Sequence, residues 1–212
     1  MLNLPEATEL HKQLPKSQIY KKFQLTNAQQ TAFDDDISRI DIVNEIRTRT
    51  IPGMTEGENI KSFYVRNVSL KTKDYDSKNI ERIAKLIPQN LIFVLQYEEV
   101  IQLAVHFESV YLHTPWISLV EKSITLLGLD IESVWNNLIS EISGLSERKQ
   151  NTEELKSSIE LQTRLHELER KLIAAEKKAR TEVQPRQKFE LVQNVKKIKE
   201  EIDTIIKELE NI

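Results

Sequence analysis

Apolar residues recur at heptad spacing along the last third of the chain. Leu161, Leu165, Leu168, Leu172, Ala175 and Ala179 follow one another in alternating steps of four and three. Such spacing keeps one seam of a helix turned toward a partner helix. Leu191, Val195, Ile198, Ile202, Ile205, Leu209 and Ile212 repeat it in a second run, out of phase with the first. Extending the first frame reaches Glu182, Arg186, Phe189 and Gln193, of which only Phe189 is apolar. Pro185 sits in the break; proline is tolerated in a first helical turn and disfavours helix at the residue before it. The pattern therefore predicts one helix ending near Arg180 to Glu182 and a second starting at Pro185. Together they form an antiparallel coiled-coil hairpin over 147–212. Its expected seam contains Leu165, Leu168, Leu172, Val195, Ile198 and Ile202, with Leu168 facing Ile198 and the small Ala179 facing Phe189. At about 1.5 Å per residue the arm projects roughly 40 Å. The competing arrangement, one continuous helix in a parallel dimer, conflicts with the phase break and with Pro185.

Residues 1–146 show shorter, mixed periods. Two Leu-Pro pairs near the start read as extended corners. Helices are expected from Ser17 to Phe23, from a Thr26 or Asn27 cap to Asp36, and from an Asp76 or Ser77 cap across Ile80, Ile83, Ala84 and Ile87. Period-two alternation predicts strands over 37–51 and 60–72, with an irregularity at Asn67, and again over 100–107 and 110–113. The unbroken apolar run Leu91 to Gln96 suits a central strand. A helix around Leu119 to Leu127 and another capped by Asp130 close the region, with Trp116 and Trp135 as packing anchors. The expected class is α+β: a mostly antiparallel sheet with helices on one face, followed by the hairpin.

Composition removes several functions. The 212 residues carry a net charge of −3, so the molecule as a whole is no general polyanion binder. There is no cysteine, which excludes disulfides and thiolate metal sites. His11, His106, His113 and His166 lack ligand spacing, and no metal or cofactor is expected. Neither a secretory leader nor a membrane-length apolar run is visible, so the expected compartment is the cytoplasm. No nucleophile elbow, phosphate-binding loop or dinucleotide fingerprint is present.

Charge is uneven within the hairpin. Arg170, Lys171, Lys177, Lys178, Arg180, Arg186 and Lys188 face only Glu176 and Glu182 near the turn. Glu200, Glu201, Asp203, Glu208 and Glu210 face only Lys207 at the far end. Lys177, Lys178, Arg180, Arg186 and Lys188 are thus candidate phosphate contacts, although the aromatic interleaving of single-strand binders is missing. Asp34, Asp35 and Asp36 form an acidic triplet read as solvated. The order strand, Lys71-Thr72-Lys73-Asp74, helix, strand resembles the back half of PD-(D/E)xK nucleases. Those enzymes need carboxylates for Mg²⁺ and a lysine at the attacked phosphate. Ser69 stands where an acid is required, and Asp41 and Glu45 are the acids the preceding strand offers.

Four segments carry a wider resemblance: LPEATELHKQLPKSQIYKKF, DISRIDIVNEI, KTKDYDSKNIERIAKLIPQNLIFVLQYE and EKKARTEVQPRQKFELVQNVKKIKEEI. They are similar to the bacterial and archaeal domain-of-unknown-function 4391 family over nearly the whole chain. The resemblance carries no catalytic residues. It implies a setting beside helicases and DNA methyltransferases in restriction-like or phage-defence loci. Three roles are expected from it and from the residues. The first is an accessory subunit docking such a helicase or methyltransferase through its hairpin. The second is a nucleic-acid-binding module using the basic tip, and the third a degenerate nuclease centred on Glu45, Lys71 and Lys73. A second copy of the chain is a further candidate partner.

Overall fold

The computed structural model describes residues 2–120, 123–145 and 151–210. The chain divides into two units, Met1–Gln150 and Asn151–Ile212. The boundary expected at 146/147 lies outside the described residues.

In the first unit a 3₁₀ turn at Glu6–Thr8 leads into β1 (Glu9–Gln13), α1 (Lys16–Lys22), α2 (Asn27–Asp36) and β2 (Ile37–Arg47). Then come β3 (Ser62–Leu70), α3 (Ser77–Leu86), β4 (Leu91–Tyr97), β5 (Val100–Phe107), β6 (Val110–His113), β7 (Ile117–Ser118) and α4 (Ile131–Ser143). Helix starts fall where the sequence offers side-chain oxygens. Thr26 and Asp130 close capping boxes with Gln29 and Ser133, and Asp76 accepts from the Lys78 N–H. Gly144, at φ 73°, ends α4 in the left-handed conformation that glycine adopts without a Cβ clash.

The strands form one sheet in the order β1-β2-β3-β4-β5-β6, with β7 also on β5. The sheet is mixed rather than purely antiparallel: within its mostly antiparallel pairing, β3 and β4 run parallel, from Tyr64 beside Leu91 to Ser69 beside Gln96. The physical reason is α3, which carries the chain back over the sheet, so that β4 starts again at the same end as β3. All other pairs are antiparallel.

Helices cover both faces rather than one. Ile40, Val68, Leu70, Phe93, Leu95 and Ala104 join Ile19, Phe33, Ile80 and Ile83 of α1–α3 in one apolar core. Phe63 points to the opposite face, because successive strand residues alternate. There it meets Trp135 of α4, ring centroids 5.4 Å apart. Leu91–Leu95 are all buried, as a strand covered on both faces requires.

Three further expectations change. Residues 119–127 form no helix among those described: the Leu119 N–H donates to Glu99 O and the Ile124 N–H to Leu2 O, so the backbone is committed to neighbours. β1 is an edge strand of mostly exposed polar residues and carries no alternation to betray it. The irregularity placed at Asn67 belongs to β2, where the register slips between Ile42 and Asn44.

In the second unit α5 (Thr152–Thr181) and α6 (Pro185–Glu210) pack on each other and are joined by a short turn. Burial follows the seam. Leu168, Ala175, Ala179 and Ile205 are buried, while Leu165, Leu172, Val195, Ile198 and Ile202 are half-buried. Phe189 departs from expectation. It lies two residues before the seam residue Leu191 and is 65% exposed, so it does not cover Ala179.

Candidate functional site

Two places in the fold gather chemistry-bearing side chains. The first is the turn of the hairpin. The Glu182 carboxylate accepts from the backbone N–H groups of Val183 and Gln184, at 2.9 and 2.8 Å, and closes the turn. Val183 is left 88% exposed at the apex. Lys177, Lys178, Arg180, Arg186 and Lys188 are all exposed around it, so the folded hairpin does collect the five cations. Arg186 also reaches Glu190 at 3.6 Å, one turn along α6. Such an exposed pair leaves the guanidinium largely available to an anion.

The second place lies past the carboxyl ends of the parallel strands β3 and β4, the position where open sheets leave a crevice. A cleft of about 440 Å³ opens there, lined by Asp36, Asp74, Tyr75, Asp76, Asn79 and Arg82 among others. The acidic triplet is split across this region. Asp34 Oδ1 accepts from Lys16 Nζ at 2.6 Å and from the Tyr20 hydroxyl at 2.7 Å. Asp36 Oδ2 accepts from the Asp76 N–H and from Asn79 Nδ2, at 2.9 and 2.7 Å. Asp35 is exposed. The three carboxylates therefore diverge. Among the described residues no group of three or more His, Asp or Glu is placed to hold a metal ion.

Burial opposes ionisation of Asp34, but the bonds from Lys16 and Tyr20 outweigh it and hold the carboxyl below its ordinary value. A depressed carboxyl contributes stability above the ordinary carboxylate range, and that contribution is lost as pH falls through the lowered value. The stability gap between wild type and Asp34→Asn, from urea melts, is expected to be full at pH 7 and to close below about pH 4. A gap that does not change with pH would exclude this account.

The nuclease-like residues are not brought together. Glu45 pairs with Tyr64 in register, accepts its hydroxyl at 2.7 Å and contacts Arg47 at 3.3 Å. Lys71 follows the other end of β3, about 23 Å away at a strand rise of about 3.3 Å per residue. Lys73 Nζ stands over the rings of Tyr97 and Trp116, 5.9 and 6.0 Å from their centroids. Asp41 pairs across the sheet with Asn67 and is held at 2.6 Å by Arg39 Nε.

A polar network beside Trp116 escaped the sequence reading. The Tyr75 hydroxyl bonds Gln102 Oε1 at 2.6 Å and the Tyr111 hydroxyl at 2.8 Å, and Gln102 Nε2 reaches Thr114 O at 2.8 Å. Burial raises the pKa of both phenols, so they remain protonated hydrogen-bonding groups at physiological pH. The one signal was Gln102, a polar residue inside the apolar strand Val100–Phe107.

Against this geometry stand the comparisons with known proteins. The chain matches the family described as "Domain of unknown function (DUF4391)" over residues 2–202. It belongs to the DUF4391 family. The DUF4391 match takes in the whole sheet unit and the hairpin as far as Ile202, so both candidate places lie inside the family domain. No curated protein and no solved structure matches this DUF4391 chain. No helix of the described residues is long and apolar enough to cross a membrane.

Proposed function

We propose that this DUF4391 protein is an accessory interaction subunit that docks a helicase or DNA methyltransferase through the tip of a coiled-coil hairpin. The observation that carries the reading is the apex. A valine 88% in solvent, ringed by five exposed cations, gives nothing to folding and offers an apolar anchor inside a basic rim. Interfaces draw affinity from a few buried anchors and orientation from charges around them. The partner surface that fits is a small apolar pocket with an acidic border. The resemblance supplies the class of partner, since family members are expected beside helicases and methyltransferases in restriction-like or phage-defence loci.

The test is co-purification of the full chain with a helicase or methyltransferase encoded near its own gene. A variant carrying Val183→Glu, Lys177→Glu and Lys178→Glu is expected to lose at least about ten-fold in retention, the equivalent of about 1.4 kcal/mol. Unchanged retention would exclude tip docking.

The same five cations favour a second reading, a nucleic-acid contact. It differs in its salt response. Phosphate contacts release counterions, so affinity for duplex DNA falls with a log–log slope of about −0.9 per contact. Neutralising Lys177, Lys178 and Arg180 is then expected to flatten that slope in a filter-binding series. Equal slopes would remove the tip from any DNA contact.

A further inference from the structure

The seam fixes the heptad phase of both hairpin helices. Leu165, Leu172 and Ala179 are a positions on α5, and Leu161, Leu168 and Ala175 are d. On α6 Val195, Ile202 and Leu209 are a, and Leu191, Ile198 and Ile205 are d. In that phase Glu176 and Lys199 are both e positions, and they form an ion pair of 2.9 Å between the helices. The e flanks of α5 and α6 therefore lie side by side. On the other side Lys178, Gln187 and Asn194, all g positions, line one groove with Thr181 and Glu190, both c. The g flanks thus lie side by side as well.

The exposed large apolar residues of the two helices are Ile173, Phe189, Val192 and Ile206. Ile173 and Phe189 are b positions; Val192 and Ile206 are e. All four fall on the e/b flank. The g and c positions of the opposite flank carry no Val, Ile, Leu, Met or aromatic residue. Surface hydrophobics scattered singly need no explanation, but four gathered on one flank of a two-helix arm do. Folding within the hairpin leaves them between 40% and 69% exposed.

We propose that this flank pairs with the same flank of a second copy of the chain, head to tail, to give a four-helix contact. Two features of the arm select a second copy. The first is self-complementarity. Phe189 and Ile206 stand roughly 25 Å apart along α6, so a two-fold axis midway between them, level with Lys197 and Ile198, sets Phe189 of each copy against Ile206 of the other, with Ile173 about one turn from the axis. The second is charge. Residues 170–188 carry seven cations and two acids, and residues 200–210 carry five acids and one cation. Head-to-tail pairing lays each basic end over the other copy's acidic end, whereas parallel pairing stacks like on like. At physiological salt the screening length is about 8 Å, so this discrimination acts at contact distance. Val183, at the apex, stays outside the contact.

Sedimentation velocity of the full chain over a concentration series tests the pairing. The wild type is expected to sediment as twice its 24.7 kDa chain mass. The double variant Ile173→Glu, Ile206→Glu is expected at half that mass at the same concentration, with helical circular dichroism retained. A monomeric wild type at high micromolar concentration would overturn the proposal, as would a double variant that stays dimeric. Orientation is read separately. The chain has no cysteine, so Arg180→Cys and Asp203→Cys chains, both altered at b positions, can be mixed and joined with a long flexible thiol-specific crosslinker. Head-to-tail pairing is expected to link unlike chains at least ten times more than like ones. A preference for like pairs would reject it.

Discussion

Replacing Phe93 with alanine is expected to destabilise the sheet unit by about 3–5 kcal/mol, the range for truncating a fully buried phenylalanine. Phe93 has no exposed surface and sits on β4, which is bordered by β3 on one side and β5 on the other. Its antiparallel neighbour is Ala104, and its core companions include Phe33, Ile80 and Ile83 from two helices. The cross-strand neighbour Ala104 is too small to fill the space a truncated Phe93 would leave. Truncation would therefore open a cavity with a short side chain beside it and β-branched chains above it, which collapse poorly. Native domains hold only about 5–15 kcal/mol in reserve, so the variant should lose a large share of its stability. Urea unfolding checks this through a lower midpoint at unchanged slope. A loss under about 1 kcal/mol would mean that the β4 face is not packed as described.

The second large effect runs the other way. Arg66→Met is expected to stabilise the protein at neutral pH by about 1–4 kcal/mol, the range for exchanging buried ionic groups for apolar ones. Arg66 points into the sheet interior between Ile42 of β2 and Phe93 of β4 and has no exposed surface. Its Nε and Nη1 atoms have no hydrogen-bond partner among the described residues. Burial alone pushes its pKa down to about 10. A cation whose folded pKa is depressed costs stability below that value, and the cost fades as pH rises through it. The gain from methionine should therefore be full at pH 7. Methionine matches the length of the arginine stem and tolerates irregular space. A drop in stability would show that the guanidinium has a partner in solution, and would turn attention to an anion bound there.

The legibility of the fold varied with how local its causes are. The Asp130 cap, the Asp76 cap and the strand Val100–Phe107 follow from side chains within a few residues of one another, and each appeared where the sequence placed it. The 119–127 segment looked helical by composition, yet its backbone donates to Glu99 and Leu2, one in another loop and the other near the N-terminus. Local pattern cannot report bonds of that kind. β1 was invisible for the same reason: an exposed edge strand is held by its neighbour's backbone, not by its own apolar period.

The candidate sites divide in the same way. The five cations near the hairpin turn were readable because they are close in the chain. The Tyr75–Gln102–Tyr111 network was not, because a loop and two strands deliver it. Glu45 and Lys71 belonged to a motif already broken at Ser69, and strand register sets Glu45 beside Tyr64 near the start of β3 while Lys71 follows its end.

By itself the sequence determined the two C-terminal helices and the break between them, the positions of most other helices and strands, and the gathering of positive charge beside Pro185. All of these arise from periodicity, capping and breaker residues that act over one or two turns of chain. Tertiary structure alone decided that the sheet is mixed, that helices cover both its faces, that the buried Arg66 has two nitrogens with no partner among the described residues, and that Phe189 leaves the seam to join Ile173, Val192 and Ile206 on one flank. Those outcomes depend on which surfaces meet across long stretches of chain, which no local preference specifies.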